Sequence, residues 1–222
     1  MALYNIVDRI FVAKINEDAL TAVTLAFPVQ HLMVSFAVGT GVGMNALLSK
    51  RLGEKNQNDV NKTAMNGVFL ALCNYVLFFA AGLTLVRPYL SSQIVSDRII
   101  EYGMEYLDVV MFLSFAAFLS ITFDRLLQST GLTVYTMYSQ LSGAAFNLIF
   151  DPLLIFGIGP FPEMGIRGAA LATVLGQMLG LGVSVAFNLK KNTEIQFKLK
   201  NLLPDILDPH CMLFVSFVAF RI

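Results

Sequence analysis

The chain has 222 residues, of which 56% are hydrophobic and 14% charged, with no net charge and a mean hydropathy of +0.69. A soluble domain carries about 25% charged residues, so this composition cannot clothe a water-facing surface and leaves an all-α polytopic membrane protein. The balanced charge, with no basic block, gives no footing for a nucleic-acid partner. Cys73 and Cys211 stand alone in apolar surroundings, without metal-ligand or disulfide spacing.

Six hydrophobic segments follow in order. The first, Leu3 to Ala13, is shorter than the ~20 residues a span needs, so the sequence reads as cut at its start. The second, Ala19 to Ser49, has 31 residues without Asp, Glu, Lys or Arg. As a helix it reaches about 45 Å and must tilt, bend or protrude, with Pro28 offering the kink. The third is expected over Thr63 to Val86, ending at Arg87-Pro88. The fourth is expected as one helix from Asp97 to Ser129, with Glu101, Glu105 and Asp108 outside or lining a wet cavity. The fifth covers Thr133 to Phe156 and the sixth Gly165 to Leu189, separated by the breaker-rich run Gly157 to Pro162. A polar stretch then leads to a half-length apolar run, Cys211 to Phe220, so the chain also reads as cut at its end. Residues 1–190 are expected to form one six-helix transmembrane lobe. Residues 191–222 are expected as a cytoplasmic connector and the start of a seventh helix.

Lys and Arg set the orientation. Lys50, Arg51, Lys55, Lys62, Arg125, Lys190, Lys191, Lys198 and Lys200 gather on one side. Lys14, Arg87, Arg98 and Arg167 lie on the other. The larger group marks the cytoplasmic side.

Asp151 is the only Asp, Glu, Lys or Arg between Arg125 and Glu163. A carboxylate at membrane depth costs roughly 2.5–3.5 kcal/mol on insertion scales, so it is paired, protonated or bound to a cation. Pro152 has no N–H to give and leaves the Leu148 carbonyl without its helical donor. Asn147 lies one turn from Asp151 on the same helix face. The pair suits a small cation held by hard oxygens, a carboxyl proton held beside an amide, or a packing bond that locks a kink. Asp8 is the acid of the first segment, with Asn5 a turn earlier, and Arg9 lies about 100° round the helix from it. An interfacial Asp8–Arg9 pair is the competing reading. Thr173 sits on a small-residue helix whose glycines favour close packing. Gly39-Thr-Gly41-Val-Gly43 follows no strand and so is not a nucleotide loop. His31 reads as a hydrogen-bonded core residue, and Asp124-Arg125 as a cytoplasmic boundary pair. No nucleophile–base arrangement is legible, so the chain does not read as an enzyme.

Several blocks together resemble the multidrug and toxic compound extrusion (MATE) transporter family: Val7 to Val12, Leu20 to Pro28, Gly39 to Gly43, Arg51-Leu-Gly53 with Asn56, Gln128 with Gly131 and Thr133, Asn147 to Gly157, and Gly165 to Thr173. Asn147-x-x-x-Asp151-Pro152 is the most specific of them. The resemblance implies a multi-pass protein of the cell membrane, forming the amino-terminal lobe of a twelve-helix, two-lobed antiporter. It implies export of small amphipathic, often cationic compounds, driven by H⁺ or Na⁺, with no other cofactor. It assigns cation or proton coupling, and a possible Na⁺, to Asp8, Asn147, Asp151 and Thr173. The implied partners are membrane lipid and a carboxy-terminal lobe, without which the chain alone is not expected to transport. A lipid-linked saccharide flippase of the same fold group, and a non-transporting membrane fragment, are the alternatives.

Overall fold

The computed structural model describes residues 8–93 and 96–197, whose regular elements are helices, with no strand among the described residues. The start of the first segment, including Asn5, and the expected seventh-helix run lie outside the described residues. Residues 8–12 are helical and are labelled α1. It is followed by α2 (Glu17–Gly53), α3 (Gln57–Gln93), α4 (Asp97–Phe112), α5 (Phe115–Ser129), α6 (Thr133–Phe156) and α7 (Gly165–Lys191). Four of these, α2, α3, α6 and α7, are each long and apolar enough to cross a membrane, and α4 with α5 makes a fifth, broken span.

The ends of α2 follow from its sequence. Asn16 Oδ1 accepts the Ala19 N–H at 2.7 Å, while Glu17 and Asp18 begin the helix and Lys50 and Arg51 end it. Both arrangements complement the unsatisfied backbone groups and partial charges of a helix terminus. Its 37 residues run about 55 Å at 1.5 Å per residue, so α2 outreaches a hydrocarbon core of about 30 Å. Pro28 lies inside it without ending it.

Two expectations are corrected. The third segment does not stop at Pro88, because α3 continues to Gln93. Proline there forfeits one backbone hydrogen bond, while the turn beyond it gains tertiary anchors. Leu90 is fully buried against Gly103, where an added Cβ would lie 2.9 Å from a Leu90 methyl. Tyr89 Oη donates to Leu25 O at 3.1 Å. The fourth segment is not one helix but two, bent by 46° at Leu113-Ser114. At the break Ser114 Oγ donates to Met111 O at 2.8 Å, and the Ala116 N–H turns to Leu113 O. Phe112 O, deprived of that donor, accepts Tyr75 Oη from α3 at 3.2 Å. The local serine competes for the backbone and a neighbouring helix satisfies what is left over.

Helices α6 and α7 form the most extensive helix pair. Gly157, at φ +66°, closes α6 in the left-handed conformation. At Gly168 an added Cβ would stand 2.5 Å from Leu154 O, so the backbones touch there only because α7 offers glycine. Such close approach is how membrane helices gain packing energy without a hydrophobic drive. Val12, Val23, Met33, Tyr106, Phe118 and Ile166 fill the interior. Val76, Leu77, Leu83, Leu85 and Ile149 are each more than half exposed, as a lipid-facing surface requires.

Candidate functional site

Three elements bring the sequence-selected residues to one point. Asp8 comes from α1, Asn147 and Asp151 from α6, and Thr173 from α7, all of them 3% exposed or less. The Thr173 hydroxyl is 3.0 and 2.9 Å from the two Asp8 carboxylate oxygens. Asn147 Nδ2 donates to Asp151 Oδ1 at 3.0 Å and reaches Thr173 Oγ1 at 3.3 Å and Asp8 Oδ1 at 3.4 Å. One amide therefore bridges two carboxyl groups from different helices. The Asn147–Asp151 contact is the i, i+4 relationship legible in the sequence. Leu148, whose carbonyl loses its donor to Pro152, faces outward at 53% exposure. The groups that reach Asp151 are side chains, not loosened backbone.

Arg9 does not pair with Asp8. Its guanidinium lies 4.9 Å from the centroid of the Phe27 ring, a cation–π contact, and the 100° offset along α1 is the reason. Phe27 also stacks on His31 at 5.2 Å. His31 is exposed rather than buried in the core, because residues 30 and 33, not 31, carry the inward face of α2.

Two residues of the cluster were not selected from sequence. Tyr106 on α4, fully buried, donates to Asp8 Oδ2 at 2.8 Å. Gln30 on α2 in turn donates to Tyr106 Oη at 3.1 Å. The signal for Gln30 was its polarity within the long uncharged stretch two residues after Pro28. Tyr106 lies on the face of α4 that also holds Gly103 and Val110, opposite the charged residues that draw attention.

The donors do not exhaust the site. Asn147 Oδ1, Asp151 Oδ2 and Gln30 Oε1 are buried without a hydrogen-bond partner. Buried polar atoms are nearly always paired, so Asn147 Oδ1 and Asp151 Oδ2, one turn apart on α6, each keep capacity for a further hydrogen bond or ligand. The Asp124-Arg125 expectation fails. Asp124 is 6% exposed, accepts from Ser184 Oγ at 2.8 Å and Gln140 Nε2 at 3.3 Å, and belongs to the interior. Arg125 turns to Gln128 Oε1 at 2.8 Å, its stem crossing Gly41, where an added Cβ would lie 3.0 Å away.

The family model described as MatE matches residues 1–153. The chain belongs to the MatE family. The family's members are transporters, not enzymes, and the chain is a multi-pass membrane protein. It is 29% identical over 181 residues to the FAD transporter of Shewanella oneidensis, covering 82% of this chain and 40% of that protein. To the probable multidrug resistance protein NorM of Thermotoga maritima it is 28% identical over 207 residues, covering 91% and 43%. The chain thus spans less than half the length of these curated relatives. Among solved structures, the inward-facing conformation of a multidrug resistance MATE family transporter matches at a TM-score of 0.89 and 24% identity. That match covers 98% of this chain and 48% of that one. The outward-facing conformation matches at 0.85, and both matches establish the fold. This MatE chain therefore has the architecture of one transporter lobe.

Proposed function

We propose that this MatE chain supplies the cation-coupling lobe of an antiporter that exports amphipathic, often cationic compounds. In this reading the coupling ion, H⁺ or Na⁺, binds at Asp8, Asn147, Asp151 and Thr173. The observation that carries it is the pair of buried, unpartnered oxygens, Asn147 Oδ1 and Asp151 Oδ2. A proton on Asp151 would satisfy its free oxygen directly. For Na⁺, a turn of the Asn147 amide about its last torsion would exchange Nδ2 for Oδ1. It would then offer an oxygen beside those of Asp8, Asp151 and Thr173, the ligand type a hard cation takes. Either occupant brings one positive charge to a site where two carboxyl groups otherwise share a single amide.

The cluster joins α1, α2, α4, α6 and α7, so a change of occupant alters what holds these helices together. That is how binding energy at one point biases two arrangements of a bundle. We place substrate release after cation uptake on the outer side, and reloading after cation discharge toward the cytoplasm. Transport in this reading also requires a second lobe facing the first. A flippase for pyrophosphate-linked lipids would call for a cationic cavity, whereas the walls here carry Asp124 together with Arg125.

The test is Asp151→Asn in a transporter containing this lobe, reconstituted in liposomes with an imposed H⁺ or Na⁺ gradient. Efflux of an amphipathic cation should fall at least tenfold. Full gradient-driven efflux would remove the coupling role.

A further inference from the structure

The second buried carboxylate cluster lies at the opposite end of the lobe. Asp151 is five residues from the end of α6 at Phe156, beside the loop that precedes α7. Asp124 is five residues from the end of α5 at Ser129, on the side where Arg125, Lys190 and Lys191 lie. By the bias of basic residues that is the cytoplasmic side.

Below Asp124 a polar ladder runs along one face of α7, at residues spaced by four. Ser184 Oγ donates to Asp124 Oδ1. Asn188 Nδ2 lies 3.0 Å from both Ser184 O and Phe123 O. Asn192 Nδ2 donates to Asn188 Oδ1 at 3.2 Å, and Asn192 Oδ1 is buried without a partner. Above Asp124 opens a cavity of about 480 Å³, walled by Asp124, Ser139, Gln140, Ala144, Gln177 and Gly180 among others. Gln177 is one turn from Thr173, and Ala144 is three residues from Asn147. The cavity wall therefore comes within a helical turn of the first cluster on both α6 and α7. A cavity of this size with several polar groups in its wall has room for water.

Packing does not require this arrangement. Small apolar residues would join α5 to α7 without the cost of desolvating a carboxylate. The groups facing Asp124 are few. On α5, Arg125 is the charged neighbour whose field reaches it. The cavity wall brings Val34 and Val38 from α2, Ser139 and Gln140 from α6, and Gln177 from α7, none of which titrates. Ser184 on α7 completes its hydrogen bonds.

We propose that Asp124 is a second proton-binding carboxylate, the cytoplasmic station through which protons enter and leave the Asp8–Asp151 cluster. This rests on the coupling role proposed above. A hydronium ion in cytoplasmic water breaks one of its O–H bonds and becomes water as the proton forms an O–H on Asp124. The bond forms on the oxygen facing Gln140, a side chain exposed enough to swing aside. That O–H then breaks as cavity water accepts the proton. The water passes one on, and a new O–H forms on Asp151 Oδ2, the oxygen without a partner. No electron moves, and Asp124 returns to its carboxylate.

The experiment uses the purified chain in lipid nanodiscs, with infrared detection of protonated carboxyl groups during pH titration and after a pH jump. Asp124→Asn should remove one carboxyl band and slow protonation of the Asp8–Asp151 bands at least tenfold, leaving their amplitude intact. Ser184→Ala keeps the acid and should shift the Asp124 band without removing it, which decides the matter if Asp124→Asn does not fold. An unchanged rate in Asp124→Asn, or an Asp124 band indifferent to Ser184→Ala, overturns the proposal. Asp8→Asn and Asp151→Asn separate the two readings. If these remove no band, the coupling role falls, while Asp124 is judged by its own band and by Ser184→Ala.

Discussion

Tyr106 Oη and Asp8 Oδ2, 98 residues apart in sequence, are joined by a 2.8 Å hydrogen bond in the buried centre of the lobe. The bond ties α1 to α4, and Gln30 extends it to α2. Asp8 is otherwise held by α6 and α7, so Tyr106 is its link to the other half of the bundle.

Tyr106→Phe deletes that link without changing the ring that fills the core. It leaves Gln30 Nε2 without its acceptor and one Asp8 oxygen short of a donor. Unsatisfied buried groups of this kind cost about 1–3 kcal/mol. The variant should unfold at lower denaturant concentration in a reversible detergent assay, with an unchanged slope. A midpoint equal to that of the parent would show that the bond contributes nothing.

Thr173 offers a cleaner separation of packing from polarity. Thr173→Val keeps the shape but loses the hydroxyl that faces both Asp8 oxygens, whereas Thr173→Ser keeps the hydroxyl and loses a methyl. The valine variant should weaken cation binding about tenfold by calorimetry and the serine variant by less than threefold. The reverse order would make Thr173 a packing residue.

Asp8 and Asp151 share the Asn147 amide, so their substitutions cannot act independently. In a double-mutant cycle, Asp8→Asn and Asp151→Asn should show a coupling energy of about 0.5–3 kcal/mol in unfolding free energy. Additive effects would mean that the two carboxyl groups do not form one site.

Gly168→Ala tests the scaffold beneath the site. The new Cβ would stand 2.5 Å from Leu154 O, a backbone atom that cannot swing away, so α6 and α7 must separate. Overpacking of this kind costs about 1–3 kcal/mol, and the shift should also loosen the reach from Asn147 to Thr173. Thermal unfolding with unaltered stability would place the helices farther apart than described.

Much of the architecture was legible because membrane helices announce themselves by length and apolarity. The bounds of α6 matched the apolar segment from Thr133 to Phe156, and the Asn147–Asp151 pair followed from helical periodicity. The break at Ser114 was hidden, since Leu113-Ser114 carries neither glycine nor proline and its freed carbonyl is satisfied by Tyr75 from another helix. Pro88 misled in the opposite direction, because Leu90 and Tyr89 hold the helix together beyond it.

The sequence by itself determined the class of protein, the side of the lobe that gathers positive charge, and the residues whose burial in a membrane would be costly. Those properties depend on composition and on neighbours within a few residues. Only the tertiary structure decided which costly groups meet. Tyr106 and Gln30 joined the Asp8 cluster, and Ser184 drew Asp124 from the boundary into the interior, through contacts spanning 60 to 98 residues. Such contacts depend on how closely α6 and α7 approach at glycine and on where the α4–α5 span bends, and no local pattern encodes either distance.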